Sequence, residues 1–194
     1  MPDENGPLNQ RKATERFYSL VWPHRAAVLR TALFLTHDAA EAEDLAQETL
    51  IKAFRFISAF QDGTDMKAWL MTILRNTRTD RLRATAAEAG NVSLDRLYAE
   101  PADTGEEFDA PWAWQDPEQV LNGFADQQII DALLELPEEL RWTLLLVDVE
   151  QVDHKDAARI LGIPVGTVKS RAHRGRVLLR RALLPIAKQM RLIR

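Results

Sequence analysis

A group of hydrogen-bond donors near the end of the chain has the residue types and spacing for contact with DNA. Residues 165–176 carry hydroxyl, ammonium, imidazole and guanidinium groups within one predicted helix. Such groups donate to phosphate oxygens and to base edges, and Lys169 and Arg174 are the best candidates for guanine. The predicted set is Thr167, Lys169, Ser170, Arg171, His173, Arg174 and Arg176.

The residues around this group predict a helix-turn-helix that would present it to a major groove. Residues 157–161 place small and apolar side chains on one face of a short helix. Gly162 would end that helix, since glycine adopts the positive φ common at helix ends. Ile163 and Pro164 carry the turn, and a second helix begins near Val165 or Gly166. A solvated basic helix without a partner is the alternative, which the coincidence of turn and charge disfavours.

Charge is strongly segregated along the chain, although the whole sequence is slightly acidic. The 194 residues have a formal net charge of −4, and they suffice for one large or two small domains. Residues 84–126 hold ten acidic residues and one basic residue, whereas residues 155–194 hold eleven basic residues and one acidic residue. Polyanion affinity depends on the face presented, so the basic end remains compatible with DNA.

Composition also restricts where the protein works and what chemistry it performs. There is no cysteine, so disulfides, thiolate metal sites and cysteine nucleophiles are excluded. The first residues lack the apolar core of a signal peptide, and the longest apolar runs are too short to span a bilayer. We therefore expect a cytoplasmic protein.

Residues 12–83 predict an almost entirely helical first unit. A break at residues 36–38, with Asp38 as a candidate N-cap, precedes a helix over 39–57, and a turn at 61–64 precedes a helix over 66–83. The polar face of the first helix carries Glu41, Asp44, Gln47, Glu48 and Lys52. The outer face of the second collects Lys67, Arg75, Asn76, Arg78, Arg81 and Arg83.

Residues 84–126 predict a mostly irregular acidic linker, and residues 127–194 predict a second helical unit. The linker contains Trp112, Trp114 and Phe124, which we expect to dock on a neighbouring domain; a dedicated partner site is the weaker alternative. The second unit has helices before and after Pro137, then the helix-turn-helix and a basic amphipathic tail over 183–194 with Pro185 inside it. With no strand pattern, the expected fold class is all-α.

The order of several motifs resembles bacterial sigma factors of the extracytoplasmic-function (ECF) group. Residues 44–49 and 52–54 resemble the segment that binds core RNA polymerase, and residues 68–81 resemble the promoter-melting segment. Residues 136–141, 156–158 and 162–171 resemble the family's C-terminal domain. The absence of the longer regions of primary sigma factors favours the ECF group.

The resemblance implies three surfaces in a defined order. Residues 1–83 would form sigma region 2, residues 84–126 an acidic linker, and residues 127–194 sigma region 4 with its basic tail. Core polymerase would meet Asp44, Gln47, Glu48 and Lys52, of which the first three share one helix face. The −35 element would meet the seven residues named above, although His173 departs from the common family pattern.

The −10 surface implied by the resemblance must capture an extruded base and hold the backbone. Asn76 aligns with the base pocket of the family, and an amide can hydrogen-bond a base edge. Trp69 is a candidate stacking platform, although a tryptophan at helical spacing is more often part of a core. The predicted −10 set is Trp69, Arg75, Asn76, Arg78, Arg81 and Arg83.

Two other classes of function remain to be weighed against a promoter-specific initiation factor. A helix-turn-helix regulator would use residues 1–126 for dimerisation or ligand binding, but would not need polymerase-binding and melting surfaces. An enzyme is disfavoured, because the four histidines are scattered and no metal, phosphate-loop or nucleophile motif is present. No cofactor is expected; the expected partners are core RNA polymerase, promoter DNA and an anti-sigma factor.

Overall fold

A computed structural model describes residues 6–36, 38–88 and 126–189, and these ranges contain helices and turns but no strand. The expected all-α fold is therefore confirmed. The first half contains α1 (Gly6–Arg16), α2 (Arg25–Leu35), α3 (Ala39–Phe56) and α4 (Met66–Glu88). A π-helical turn (Phe17–Val21) and a 3-10 turn (Trp22–His24) join α1 to α2, and a second 3-10 turn (Ile57–Ala59) follows α3.

The breaks between these helices follow local chemistry that the sequence predicted. The carboxylate of Asp38 accepts a hydrogen bond of 2.8 Å from the backbone N–H of Glu41, which caps the first turn of α3. Gly63 has a φ of 88°, a conformation that costs glycine little, in the turn before α4. These two features fix where α3 and α4 begin, and thereby which side chains share a face.

Helix α4 is longer than the sequence pattern predicted. It continues to Glu88, five residues beyond the predicted boundary at Arg83. Residues 84–88 are mostly alanine, the best helix former, and the first helix breaker after Arg83 is Gly90. The predicted start of the linker at residue 84 therefore falls inside α4; residues 89–125, with Trp112, Trp114 and Phe124, lie outside the described residues.

The second half consists of α5 (Asp126–Leu134), α6 (Glu138–Leu144), a π-helical turn (Leu145–Val149), α7 (His154–Leu161) and α8 (Val165–Gln189). Gly162 has a φ of 69° and ends α7, as predicted, and α8 begins at Val165. Helix α8 continues through Pro185, and buried Leu183 and Ala187 pack with Ala132 of α5. The predicted tail is thus helical to Gln189, and residues 190–194 lie outside the described part.

Arg141 ties the end of α5 to α6. Its guanidinium donates to the carbonyl oxygens of Leu133, Leu134 and Leu136 at 2.9, 2.6 and 2.9 Å. The carbonyls of Leu133 and Leu134 lie in the last turn of α5, where no further helical N–H follows, and Leu136 lies just beyond it, so the side chain caps the C-terminus of that helix. Burial lowers the pKa of Arg141, and the hydrogen bonds offset the cost of burying its charge.

The two halves share one apolar core. Helices α2, α3 and α4 pack together through residues such as Leu45 and Leu70, and this core continues into Leu145 and Leu161 of the second half. Helix α4 lies against α7, and α2 contacts α5 and α6. None of the described helices is long and apolar enough to cross a membrane.

We expect Gly175→Ala to destabilise the second half, because an added methyl group would crowd a side chain of α6. A Cβ at residue 175 would lie 2.9 Å from Cγ of Leu144, whose side chain is in the core. Overpacking of this kind costs about 1–3 kcal/mol, more than the helix-propensity gain from alanine. Chemical denaturation of Gly175→Ala should therefore give a lower free energy of unfolding than the unmodified protein.

Gly166→Ala is the matched control for this prediction. It lies in the first turn of the same helix, and nothing lies within 4 Å of the added Cβ. The free energy of unfolding should stay unchanged or rise by up to about 1 kcal/mol. Equal effects of the two substitutions would contradict the described packing of α6 on α8.

Candidate functional site

The polar face of α3 forms one candidate binding surface. Asp44 and Gln47 are exposed on it, and the side chain of Glu48 is 35% exposed. The three residues lie at i, i+3 and i+4 of one continuous helix, so they share a face as the sequence predicted. The surface therefore presents a carboxylate and an amide to solvent, with a second carboxylate at its edge.

Glu48 is part of an ion-pair network that connects α3 to α4. Its carboxylate lies 3.0 Å from Nζ of Lys52 and 2.8 Å from Nε of Arg81, and Lys52 lies 3.8 Å from Asp80. Burial by itself raises the pKa of Glu48, but the hydrogen bonds and charges of Lys52 and Arg81 outweigh it and hold this pKa below its ordinary value. Glu48 and Lys52 thus also stabilise the surface on which Asp44 and Gln47 stand.

An apolar groove adjoins this acidic face. It runs between α2 and α3 and includes Gln47 in its lining, so the groove and the polar face are continuous. Ile51 is 45% exposed and Trp22 is 41% exposed, which is unusual for such large apolar side chains. The other apolar lining residues include Phe17, Leu29, Leu50 and Phe54.

The groove was not predicted from the sequence. Ile51 lies between the polar positions of α3 and its inward apolar residues, so the helical pattern assigns it to neither face. The available signal was Ile51, an apolar residue directly beside the polar positions 47, 48 and 52. A mixed polar and apolar strip of this kind is typical of a helix-binding surface.

Along α4, the predicted −10 residues have four different environments. Asn76 is exposed, and the side chain of Arg83 is 64% exposed. Trp69 is half-buried, packs against the core and meets the ring of Phe60 at a centroid distance of 5.3 Å. Arg81 pairs with Glu48, as described above.

Arg75 and Arg78 face the second half of the protein. The guanidinium of Arg75 donates to the carbonyl oxygen of Leu161 at 3.2 Å, at the end of α7. Arg78 lies 3.1 Å from the carboxylate of Glu41 and 3.7 Å from that of Glu138, and only 12% of its side chain is exposed. In this arrangement both guanidinium groups are engaged within the protein.

The basic surface of α8 is presented by the helix-turn-helix. Lys169, Ser170 and His173 are exposed, and Thr167, Arg171 and Arg174 are half-buried. Arg176 donates two hydrogen bonds to the carboxylate of Asp148, at 2.7 and 3.0 Å, and this pairing raises the pKa of Arg176. The seven predicted residues therefore lie on one helix, with Arg176 already paired.

Glu150 lies at the centre of the contact between the halves and was not singled out from the sequence. Its side chain is fully buried, and its carboxylate is 2.7 Å from Nη2 of Arg30. The sequence signal was an acidic residue that directly follows the apolar run 144–149, which contains only Asp148 as another charge.

Comparison with protein families matches both halves of the chain. Residues 20–88 match the family described as Sigma-70 region 2, and residues 126–179 match Sigma-70, region 4. These ranges contain all the candidate surface residues on α3, α4 and α8.

Comparison with individual proteins gives the same result over most of the chain. The RNA polymerase sigma-H factor of Pseudomonas aeruginosa is 31% identical over 93% of this chain and 92% of its own length. The ECF RNA polymerase sigma factor EcfG of Rhodopseudomonas palustris is 36% identical over 75% of this chain and 72% of its own. The sigma factor RpoE of Bartonella quintana, solved with the anti-sigma factor NepR, superposes with a TM-score of 0.66 at 29% identity, covering 86% of this chain and 96% of that one.

Proposed function

This chain belongs to the extracytoplasmic-function group of the sigma-70 family, and on that premise we propose how its surfaces divide the work of transcription initiation. It binds core RNA polymerase and directs it to promoters by reading the −10 and −35 elements. Residues 1–83 carry polymerase binding and −10 recognition, and residues 127–194 carry −35 recognition. The acidic residues 84–126 link the two regions that carry these functions.

Polymerase binding is assigned to the exposed face of α3 and the adjoining groove. One observation carries this assignment. The exposed carboxylate of Asp44 and amide of Gln47 lie on one face of α3, and this face adjoins the apolar groove between α2 and α3. A basic, amphipathic helical partner satisfies both halves of such a surface. Glu48 and Lys52 contribute at its edge, where they also connect α3 to α4.

The −10 surface is assigned to α4. Asn76 is the candidate for a base edge because its amide is exposed and both donates and accepts. The backbone of the melted strand is assigned to Arg75, Arg78, Arg81 and Arg83, whose guanidinium groups suit phosphate oxygens. Trp69 supports this helix through its contact with Phe60 and is a candidate stacking surface at its edge.

The −35 surface is assigned to the first turns of α8. Lys169 and Arg174 are the candidates for base edges in the major groove. Thr167, Ser170, Arg171, His173 and Arg176 are assigned to phosphates and to neighbouring bases. Arg176 must exchange its carboxylate partner, Asp148, for a phosphate in order to take part.

The partners and location follow from this role. An anti-sigma factor is proposed as a third partner beside core polymerase and promoter DNA, by analogy with the complex of RpoE and NepR from Bartonella quintana. The protein works where polymerase and promoters are, in the cytoplasm. It catalyses no reaction itself, and the chemistry of RNA synthesis belongs to the polymerase.

Asn76→Ala is expected to impair promoter opening while duplex binding at the −35 element stays nearly unchanged. A lost amide–base hydrogen bond of about 1 kcal/mol corresponds to roughly fivefold fewer open complexes. Permanganate reactivity of unpaired thymines measures opening, and a short −35 duplex measures binding. Thr85→Ala, an exposed position further along α4 on the side opposite Asn76, is the control and should open promoters normally. Normal promoter opening by Asn76→Ala would mean that Asn76 does not line the base pocket.

A further inference from the structure

A large aromatic side chain is exposed at the end of α3. Phe56 is the last residue of that helix, and 58% of it is open to solvent. Phe54, two residues earlier, lines the apolar groove between α2 and α3, and residues two apart point to different sides of a helix. An exposed phenyl ring contributes little to folding, so its role depends on the surface around it.

Phe56 is turned away from the face assigned to polymerase. It follows Gln47 by nine residues, which is about two and a half turns of a helix, so the two side chains lie on opposite sides of α3. Lys52 and Glu48 precede Phe56 by four and eight residues and share its side of the helix. Both of them pair with residues of α4, so Phe56 continues the side of α3 that packs on α4.

Two contacts fix which part of α4 lies beside Phe56. Nζ of Lys52 lies 3.8 Å from the carboxylate of Asp80. Further along α3, beyond its end, the ring centroid of Phe60 lies 5.3 Å from that of Trp69. The two helices therefore run in opposite directions. Phe56 stands midway between Lys52 and Phe60, so it lies beside the part of α4 midway between Asp80 and Trp69.

This part of α4 carries Asn76, the residue assigned to a base edge. Ile73 and Asn76 are three residues apart, so they share one side of the helix. Asn76 is exposed, whereas Ile73 is half-buried and packs against the core. The seam between α3 and α4 thus places an exposed amide beside the exposed ring of Phe56. An extruded base presents a polar edge and a flat π face, which these two groups match.

We propose that Phe56 is the stacking platform for the base whose edge Asn76 reads. A base that leaves the duplex loses the stacking of its neighbours, and an aromatic ring replaces that stacking. The proposal rests on the proposed function in one respect, the assignment of α4 to the −10 element. It adds a residue of α3 to that surface, so the helix that meets polymerase on one side holds the melted strand on the other.

Affinity for the melted strand measures this role. The probe is a labelled single strand that covers the −10 element of a promoter that the holoenzyme transcribes, titrated with this protein bound to core polymerase. Loss of base–aromatic stacking in Phe56→Ala should weaken binding roughly fivefold to a hundredfold. Phe56→Tyr keeps the ring and should retain the affinity, whereas Phe56→Leu keeps only apolar bulk and should bind clearly more weakly. Unchanged affinity of Phe56→Ala, or equal affinities of the Tyr and Leu variants, would overturn the platform.

Abasic substitutions in the same strand identify the stacked base. Removal of that base should weaken binding by the unmodified holoenzyme and should have a smaller effect with Phe56→Ala, because the ring that held the base is gone. At every other position the loss should be equal in the two proteins. Such a double-mutant cycle detects direct coupling between the ring and one base. Additive losses at all positions would contradict the proposal.

Two controls separate stacking from folding and from polymerase binding. Because Phe56 is exposed, Phe56→Ala should keep its helix content by circular dichroism and its affinity for core polymerase. Leu178→Ala removes an apolar side chain of α8 that is 37% exposed, and it should leave binding of the −10 strand unchanged. If Phe56→Ala loses helix, the comparison of Phe56→Tyr with Phe56→Leu decides. Weaker polymerase binding by Phe56→Ala would place the ring in the polymerase interface and overturn the proposal.

Asn76→Ala distinguishes failure of this proposal from failure of the proposed function. If Asn76→Ala weakens binding of the −10 strand and Phe56→Ala does not, the stacking platform is wrong and the assignment of α4 stands. If neither substitution weakens binding, the assignment of α4 to the −10 element is itself wrong. The expected result is a loss of affinity in both variants, with coupling to the same base.

Discussion

Asp44→Arg should weaken the association with core RNA polymerase by more than about a hundredfold and leave the fold intact. Asp44 is exposed on α3 next to Gln47, so its substitution changes the surface and not the core. Reversal of its charge places like charges at the interface with a basic helical partner, which costs several kcal/mol, and each 1.4 kcal/mol is a factor of ten. Titration of labelled protein with core enzyme measures the change.

Asp44 is a better test residue than Glu48, because substitution of Glu48 would change the packing of α3 as well as the proposed interface. Glu48→Arg would place a third positive charge beside Lys52 and Arg81 and would disturb the contact between α3 and α4. Glu15→Arg, an equal charge reversal at an exposed position of α1, is the matched control and should bind core enzyme normally. If Asp44→Arg and the unmodified protein bind core enzyme with equal affinity, the α3 face is not part of the polymerase interface.

Lys169→Ala combined with Arg174→Ala should remove most promoter-specific binding at the −35 element. Each contact to a base edge contributes about 1–3 kcal/mol, so the pair should cost roughly thirtyfold to more than about ten-thousandfold in affinity for a functional promoter duplex. Arg174→Ala alone should relax the preference at one base pair, whereas the ammonium of Lys169 should discriminate less sharply. Binding to single-base variants of the duplex at two salt concentrations measures both effects.

Salt dependence separates base reading from phosphate contact. A residue that touches only phosphate weakens binding equally on all sequences and reduces the salt slope by about one unit. Lys188→Ala, an exposed basic residue near the far end of α8, should show at most this uniform effect. Full affinity and full specificity in the double variant would mean that α8 does not lie in the major groove.

The helices and their exposed faces could be predicted because their determinants are local. Asp38 precedes α3 and caps it, and Gly162 ends α7 with the positive φ that its residue type suggested. Asp44 and Gln47 share a face because the helical repeat is fixed. The helical repeat also predicts that Asn76 is exposed, because it places Asn76 opposite the buried positions of α4.

The contact between the halves could not be predicted, because it joins residues with no local relation. Arg30 and Glu150 are 120 positions apart, and neither carries a pattern that names the other. Arg75 and Arg78 were placed on the outer face of α4, yet that face meets Leu161 and Glu138 of the second half. The spacing of apolar residues predicts which side of a helix points away from its own helical bundle. It does not predict which other part of the chain packs against that side.

Promoter-dependent run-off transcription with purified core polymerase tests the central claim most directly. Core enzyme alone should give no specific transcript from genomic promoter fragments, and addition of this protein should give transcripts of defined length. Asp44→Arg should abolish them, and Glu15→Arg should retain them. Transcripts that do not depend on this protein, or equal yields with Asp44→Arg and the unmodified protein, would contradict the proposed mode of action.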